Sequence, residues 1–239
     1  MPTDERVAFV TGATGGLGRV VTRALLERGM RVFSTYKKKG PLDELVNSLG
    51  PLGANFSAVE ADVSVADDVK RAVGKALEKH GRIDVLLNIA GGWTGGREVA
   101  ETPASELDAM LNMNLRTAFL CCSAVLPSMI KQNYGKIVSV AARPAVEKRY
   151  RVKNGAYAIS KAGVVVLTET IAEEVKKYNI NVNAIMPSTI GTEANKKSMP
   201  DADTSKWVDP ADITKVILHL ISEDSNITSG ASIPVYGKA

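Results

Sequence analysis

Cysteine and histidine are scarce in this chain of 239 residues, which contains only two of each. Cys121 and Cys122 are adjacent within an apolar stretch, so they cannot form a disulfide framework, and we expect a reducing compartment. His80 and His219 lie far apart in the sequence, which argues against a histidine-based metal site. The sequence therefore predicts neither a disulfide-stapled secreted protein nor a histidine-ligated metalloenzyme.

Long apolar runs and a strong charge bias are also missing. No apolar run approaches the ~18 residues that cross a bilayer, and the polar residues before the first predicted strand do not form a signal peptide. The net charge is only +4. Basic residues cluster at Lys37–Lys39 and from Arg143 to Lys153, but no nucleic-acid-reading motif accompanies them. We expect a cytoplasmic protein with a small-molecule substrate and neither nucleic acid nor membrane as a partner.

Short apolar runs alternate with amphipathic stretches along the chain. The predicted strands are Val7–Val10, Arg31–Thr35, Asn55–Glu60, Asp84–Asn88, Lys136–Val140, Asn181–Met186 and Ser232–Val235. The predicted helices are Gly16–Arg28, Leu42–Leu49, Val65–His80, Ala104–Lys131 with a kink near Pro127, Gly155–Tyr178 and Pro210–Ser222. Val- and Ile-rich strands without alternation indicate a parallel sheet that is buried on both faces. The pattern predicts one α/β domain over residues 1–239, a Rossmann-type doubly wound parallel sheet with helices on both faces. The irregular stretch Ser188–Trp207 is predicted to be a lid at the strand ends.

A glycine-rich turn, Thr11–Gly18, follows the first predicted strand and opens a helix. Its glycines permit a tight turn and let the backbone approach a diphosphate, while the helix start supplies N–H donors. The predicted cofactor-binding residues of this turn are Gly12, Thr14, Gly16, Leu17 and Gly18. The turn predicts a nicotinamide dinucleotide as cofactor.

The end of the second strand indicates which dinucleotide is bound. An NAD-type site usually has a carboxylate there for the ribose, whereas this chain has Lys37, Lys38 and Lys39. These lysines could neutralise a 2′-phosphate, or they could form a solvated basic loop. We predict that NADP(H) is preferred and that NAD(H) remains possible. Asp62 and Val63 end the third strand, where the carboxylate would bind the adenine amino group or cap a helix.

Tyr157 and Lys161 lie four residues apart and therefore share one face of a predicted helix. A nearby cation stabilises a phenolate, which otherwise forms near pH 10. The pair is therefore a candidate for proton transfer.

These pieces together resemble the short-chain dehydrogenases/reductases over essentially the whole chain. The matching stretches are Thr11–Gly18, Asp62-Val63, Asn88-Ile89-Ala90-Gly91, Asn114-Leu115, Tyr157–Lys161 and Pro187–Thr192. The resemblance implies that Tyr157 is the acid/base group, that Lys161 lowers its pKa and binds the nicotinamide ribose, and that Asn114 holds a water beside the lysine. It also implies that the cofactor contacts Asn88, Ala90, Gly91, Pro187, Ile190 and Thr192, and that the chain forms a homodimer or homotetramer.

One position departs from the family pattern. Ala142 stands where the family has a serine that stabilises negative charge on the substrate oxygen, and the loop to Tyr157 is about two residues longer. The stretches Ala90–Gly96 and Lys197–Trp207 also resemble dihydropteridine reductases, a branch without that serine. We therefore expect reduction of a planar conjugated imine such as a quinonoid dihydropterin, with Trp93 either facing the heterocycle or packing beneath the long helix. The alternatives are a ketone or 3-oxoacyl reductase in which Arg143 or a water replaces the serine, and a non-catalytic NADP(H)-binding domain.

Overall fold

All seven strands belong to a single parallel sheet. The structure, a computed structural model, describes residues 5–238. The strands are β1 (Val7–Thr11), β2 (Arg31–Tyr36), β3 (Phe56–Glu60), β4 (Val85–Asn88), β5 (Gly135–Val140), β6 (Ile180–Pro187) and β7 (Ser232–Val235). Their order across the sheet is β3-β2-β1-β4-β5-β6-β7, and every pairing is parallel. The predicted Rossmann-type α/β class is confirmed.

Helices cover both faces of the sheet. They are α1 (Gly16–Glu27), α2 (Lys39–Leu49), α3 (Ala66–His80), α4 (Ala104–Met110), α5 (Thr117–Gln132), α6 (Gly155–Glu174), α7 (Glu193–Ser198) and α8 (Pro210–Leu220). The core on one face joins α1, α2 and α8 to strand residues such as Val10 and Leu87. The core on the other face joins α3, α5 and α6 to residues such as Phe9 and Leu86. Neighbouring strand residues thus point to opposite apolar layers, which explains why β1 and β4 are apolar up to their last residues, Thr11 and Asn88.

The predicted long helix is irregular, but not where the sequence suggested. Pro127 lies inside α5, and the α-helix continues to Gln132. The irregular part is the π-helical turn Leu111–Arg116 between α4 and α5. A π turn changes the backbone hydrogen-bonding pattern and often marks a functional site, and this one carries Asn114. The helix is therefore not broken at Pro127, and its interruption lies several turns earlier.

The same helical stretch also corrects an expectation about apolar runs. Ala104–Gln132 is long and apolar enough to cross a bilayer, by length and composition only. Cys121, Val125 and Met129 on α5 are buried against the sheet. Because core helices often pass this test, one such helix is weak evidence for a membrane span.

The other differences lie at element ends. The helix predicted to reach Tyr178 ends at Glu174, and α2 begins three residues before the predicted Leu42. The lid region Ser188–Trp207 contains the short helix α7 and a 3₁₀ turn, Thr204–Lys206. Hydrogen bonds that link Gly191 and Thr189 to Val208 join the two ends of this region, and Ser188 N donates to Val235 O of β7 at 3.2 Å.

Candidate active site

The predicted functional residues meet at the carboxyl edge of the sheet. The strand order reverses between β1 and β4, so the loops after these strands diverge to opposite faces and leave a crevice. The glycine-rich turn follows β1, and Asn88 is the last residue of β4. The crevice is bordered further along by the ends of β5 and β6.

The glycine-rich turn has no room for side chains at its key positions. Gly12 adopts φ +74°, and a Cβ there would lie 2.8 Å from the backbone N of Ala90. A Cβ on Gly18 would overlap the carbonyl oxygen of Gly12. The N-cap of α1 is Gly15, which offers no side-chain acceptor to the first-turn N–H groups. The turn is therefore a compact backbone cradle with free N–H donors at a helix start, which fits a diphosphate.

The lid region meets this cradle at Thr192. A Cβ on Gly16 would lie 2.6 Å from Thr192 Cγ2, so only a glycine allows this approach. The Thr192 hydroxyl oxygen accepts a hydrogen bond from the backbone N–H of Asn195 at 3.2 Å and so caps α7. Pro187 is the last residue of β6, and Ile190 packs against the core beside α1 and α8. The structure thus brings the predicted lid residues beside the predicted cradle.

Asn114 connects three elements around the crevice. Its side-chain amide donates to Gly92 O at 3.0 Å and accepts from Gly92 N at 3.0 Å. Its Nδ2 also lies 3.1 Å from Ser160 Oγ on α6. Ser160 is fully buried and donates to Tyr157 O at 2.8 Å. Asn114 therefore fixes the loop after β4 against the helix that carries Tyr157. Ser160 could not be singled out from the sequence, because one serine in a helix has no distinctive pattern.

Lys161 is directed at the end of β5. Its side chain is 5% exposed, and Nζ donates to Val140 O at 2.6 Å. A Cβ on Gly91 would lie 3.4 Å from Lys161 Nζ and 2.6 Å from Asn114 Oδ1. The absence of a side chain at Gly91 thus keeps the surface above both polar groups open. This opening is where a ribose hydroxyl could reach the lysine.

The pKa values of the pair depart from the expectation. Burial raises the pKa of Tyr157 to about 12 and lowers the pKa of Lys161 to about 8. We expected Lys161 to lower the pKa of Tyr157, but burial dominates and the shift has the opposite sign. The Tyr157 hydroxyl makes no hydrogen bond within residues 5–238. In this state the tyrosine is a proton donor that stays neutral at physiological pH.

The buried polar side chains of Asn88 and Thr11 stabilise the end of β4 through hydrogen bonds. Asn88 donates to Ser139 Oγ at 3.1 Å and to Cys122 Sγ at 3.3 Å. The Thr11 hydroxyl oxygen accepts from the backbone N–H groups of Ile89 and Ala90, each at 3.2 Å. Asn88 and Thr11 therefore shape the turn after β4. Ser139 is buried and already engaged, so it cannot replace the missing serine at Ala142.

Ala142 and Arg143 follow β5. Ala142 is 5% exposed. Arg143 is buried, and its guanidinium lies 4.0 Å from the ring centroid of Tyr150 and 4.3 Å from that of Tyr236. Its Nε is 3.0 Å from Glu147 Oε2. These three partners hold Arg143 in place, so the geometry favours an anchoring role over the role of a serine substitute.

Trp93 does not pack beneath the long helix. It is 60% exposed, and its Nε1 donates to Asn154 Oδ1 at 2.8 Å. Asn154 precedes α6 and also binds the carbonyls of Tyr150 and Val152. Trp93 thus joins the loop after β4 to the loop before α6.

The predicted adenine side of the site contains a pairing that the sequence did not suggest. Lys37 Nζ lies 2.7 Å from Asp62 Oδ2. Burial opposes ionisation of Asp62, but hydrogen bonds from Lys37 and Ser64 outweigh it and hold the pKa of Asp62 below its ordinary value. Lys38 is exposed and has no ion pair within residues 5–238. Because β2 and β3 are parallel neighbours, their carboxyl ends lie side by side. This adjacency is the feature from which the pairing of Lys37 with Asp62 could have been predicted.

The fold and the cradle define a dinucleotide-binding oxidoreductase of the Rossmann type. A family model for short chain dehydrogenase matches residues 6–203. The 3-oxoacyl-[acyl-carrier-protein] reductase FabG of Thermotoga maritima is 32% identical over 245 residues, which cover 99% of this chain and 98% of that protein. The chain belongs to the short-chain dehydrogenase/reductase family.

Solved structures agree with this assignment. NAD⁺-bound xylitol dehydrogenase has a TM-score of 0.90 at 26% identity and covers 99% of this chain and 100% of its own. A variant of actinorhodin polyketide ketoreductase with NADPH has a TM-score of 0.89 at 26% identity and covers 98% of this chain and 97% of its own. The expected resemblance to dihydropteridine reductases finds no support in these comparisons.

Proposed function

We propose that the protein is an NADP(H)-preferring reductase of a carbonyl group, such as a ketone or a 3-oxoacyl group. The observation that carries this proposal is the assembly of Tyr157, Lys161 and Asn114 at the carboxyl edge of the sheet, beside the glycine cradle. The relative from Thermotoga maritima, a 3-oxoacyl reductase, supports the same substrate class. Carbonyl reduction replaces imine reduction as the favoured activity.

Proton delivery follows from the burial of the pair. With a pKa of about 12, Tyr157 is protonated at pH 7 and can donate its proton to a substrate oxygen as hydride arrives. The reverse reaction needs the phenolate, whose fraction at pH 7 is on the order of 10⁻⁵ at that pKa. The site as built therefore favours reduction over oxidation at neutral pH.

The residues around the crevice fit a nicotinamide dinucleotide. A Cβ on Gly12, Gly16, Gly18 or Gly91 would collide with neighbouring protein atoms, so the close packing that shapes the crevice requires glycine at these positions. When bound, the cofactor supplies the hydride. The first turn of α1 would hold its diphosphate, and Lys161 would hold a ribose hydroxyl close to Tyr157.

Preference for NADP(H) rests on Lys38 more than on Lys37. Lys37 is paired with Asp62, so much of its charge is already compensated. Lys38 is the unpaired N-cap of α2, and the N-terminus of that helix adds a favourable dipole for a phosphate. One charge-assisted contact of this kind contributes about 1.5–3 kcal/mol, or roughly ten- to a hundredfold in affinity.

Association of two or four copies is part of the same proposal. Phe119 of α5 and Val166 of α6 are 54% and 59% exposed. Both are large apolar side chains exposed on helices that cover the same face of the sheet, and these two helices would form the interface. Light scattering coupled to gel filtration would determine the number of copies.

The decisive experiment measures NADPH oxidation with a reactive ketone, a 3-oxoacyl thioester and a quinonoid dihydropterin. We expect turnover of at least one carbonyl substrate. Tyr157→Phe should reduce kcat by about 10²–10⁴-fold while NADPH still binds, because the ring remains and only the transferable proton is lost. Efficient reduction of the dihydropterin alone, or unchanged turnover in Tyr157→Phe, would refute the proposal.

A further inference from the structure

The loop between β5 and α6 carries the net charge of the chain. Residues 143–154, here called the cationic loop, contain five basic residues and one acidic residue, Glu147. The net charge of this loop is therefore +4, and the net charge of the whole chain is also +4. The remaining residues sum to zero, so the positive field is concentrated beside the active site.

Three of these charged side chains have neither an ion pair nor a hydrogen bond within residues 5–238. Arg143 is paired with Glu147, and Arg151 donates to Pro144 O at 3.0 Å and to Ala145 O at 2.7 Å. In contrast, Lys148, Arg149 and Lys153 are exposed and have no ion pair within residues 5–238. These three side chains are available to an anion from solution.

Lys153 is held in an unfavourable backbone conformation. Its φ is +58°, in the left-handed region, which costs a residue with a Cβ about 1–2 kcal/mol. Asn133 is the other non-glycine residue with positive φ among those described, and it occupies an ordinary helix C-cap. Strained positions of this kind cluster at functional sites, and glycine would adopt the conformation without strain. The chain thus has a lysine at a position whose backbone conformation favours glycine.

The cationic loop is fixed against the site. Lys153 O accepts from Gly96 N at 2.7 Å, and Asn154 accepts from Trp93 Nε1 at 2.8 Å. At the other end of the loop, Arg143 is clamped between the rings of Tyr150 and Tyr236. The loop starts directly after Ala142 and ends three positions before Tyr157, at the start of α6. Its two ends therefore flank the place where the carbonyl must sit.

Exposed apolar side chains lie among these charges. Val152 is 68% exposed, Val146 is 42% exposed and Trp93 is 60% exposed. A surface of this composition suits a ligand that has an apolar body and an anionic end.

We propose that the cationic loop binds an anionic group, a phosphate or a carboxylate, that the carbonyl substrate carries away from its reacting oxygen. The proposal deepens and rests on the proposed reductase function. Lys148, Arg149 and Lys153 act as specificity-determining residues. They raise the local concentration of an anionic substrate and hold its charged end, while Tyr157 acts on the carbonyl.

The test compares substrates that share one reacting group. Acetoacetyl-CoA and acetoacetyl-N-acetylcysteamine contain the same 3-oxo thioester, but only the first carries phosphates. A keto acid and its methyl ester provide the corresponding carboxylate pair and distinguish the two sources of charge. The variant is the triple change Lys148→Gln, Arg149→Gln and Lys153→Gly, in which glycine keeps the positive φ. The control is Lys75→Gln, an exposed charge on α3.

Partly exposed charge contacts contribute roughly 1.4- to fivefold each. We expect the triple variant to lower kcat/KM for the anionic member of one pair by about tenfold, mainly through KM, and to change the neutral member less than twofold. The preference for the anionic substrate should weaken as salt is raised from about 0.05 to about 0.5 M, because salt screens exposed charges and the Debye length falls to about 3 Å near 1 M. Lys75→Gln should leave the ratio of the two substrates unchanged.

Equal losses on charged and neutral substrates, or no loss on either, would overturn the proposal. If the wild-type protein reduces no carbonyl, the reductase function fails separately. Binding of acetoacetyl-CoA and of the keto acid to protein saturated with NADP⁺, measured by calorimetry, then decides the inference. Weaker binding to the triple variant than to Lys75→Gln supports it, and equal binding refutes it.

Discussion

Replacing Lys161 by methionine should make the protein more stable while destroying its activity. Lys161 is 5% exposed, and burial lowers its pKa from 10.5 to about 8. Between these pH values the unfolded chain holds a proton that the folded chain has released, so stability rises with pH through this window. Below pH 8 the folded state carries a buried ammonium at a cost of about 3 kcal/mol.

The variant removes this cost but also removes one hydrogen bond. Lys161 Nζ donates to Val140 O at 2.6 Å, and an acceptor that loses its partner costs about 1–1.5 kcal/mol. The net expectation at pH 7 is a gain of about 2 kcal/mol, which is roughly 4–8 °C in Tm for a chain of this length. Methionine is apolar, flexible and close to lysine in length, so it should fill the same space.

Thermal unfolding of the free protein at pH 7 and at pH 10 tests this reasoning. The gain should be largest at pH 7 and should shrink towards pH 10, where the wild-type lysine is already neutral. Lys136→Met provides the contrast. Lys136 is fully buried but donates to Asn181 Oδ1 at 2.7 Å and to Asn226 Oδ1, so its loss should destabilise the fold. A lower Tm for Lys161→Met at pH 7, or a gain that does not depend on pH, would refute the argument.

Three further predictions concern the cofactor and the substrate. Gly18→Ala should weaken NADPH binding by about tenfold or more in a fluorescence titration, because its Cβ would overlap the backbone oxygen of Gly12, whereas Gly16→Ala meets the Thr192 side chain, at Cγ2 and Cβ, and should be milder. Lys38→Ala should raise the Kd for NADPH about tenfold and leave that for NADH unchanged in calorimetry; equal Kd values for the two cofactors in the wild type would contradict this. Ala142→Ser should raise kcat/KM for a ketone, by up to ~10²–10³-fold if the hydroxyl reaches the substrate oxygen; an unchanged value would mean that the longer loop directs it elsewhere.

Much of the architecture could be predicted because the physical signals are local. The apolar runs of β1 and β4 require burial on both faces, and the glycines at Gly12 and Gly18 have no alternative explanation once a strand precedes and a helix follows. The pairing of Tyr157 with Lys161 follows from helical spacing alone. Such features depend on a few residues that are neighbours in the sequence, so they can be predicted from the sequence alone.

The features that the sequence could not provide depend on distant residues. The π turn at Leu111–Arg116 forms where Asn114 is held by Gly92 and Ser160, two residues from other elements. The pairing of Lys37 with Asp62 depends on the adjacency of two strands. The sign of the pKa shift at Tyr157 depends on burial in the folded chain, which raises this pKa.

The missing serine changes the rate of the proposed reaction more than its nature. Ser139 is the nearest hydroxyl in sequence, but it is buried and accepts from Asn88, and Arg143 is held by two aromatic rings. Loss of one oxyanion donor costs ~10²–10³-fold, whereas a general acid contributes ~10²–10⁴-fold. Because the pKa of Tyr157 is about 12, this tyrosine is protonated at neutral pH. Its proton can therefore neutralise the negative charge that develops on the substrate oxygen. A chain that keeps Tyr157 beside Lys161 but has Ala142 is therefore expected to reduce activated carbonyls, whose oxygens need the least additional stabilisation.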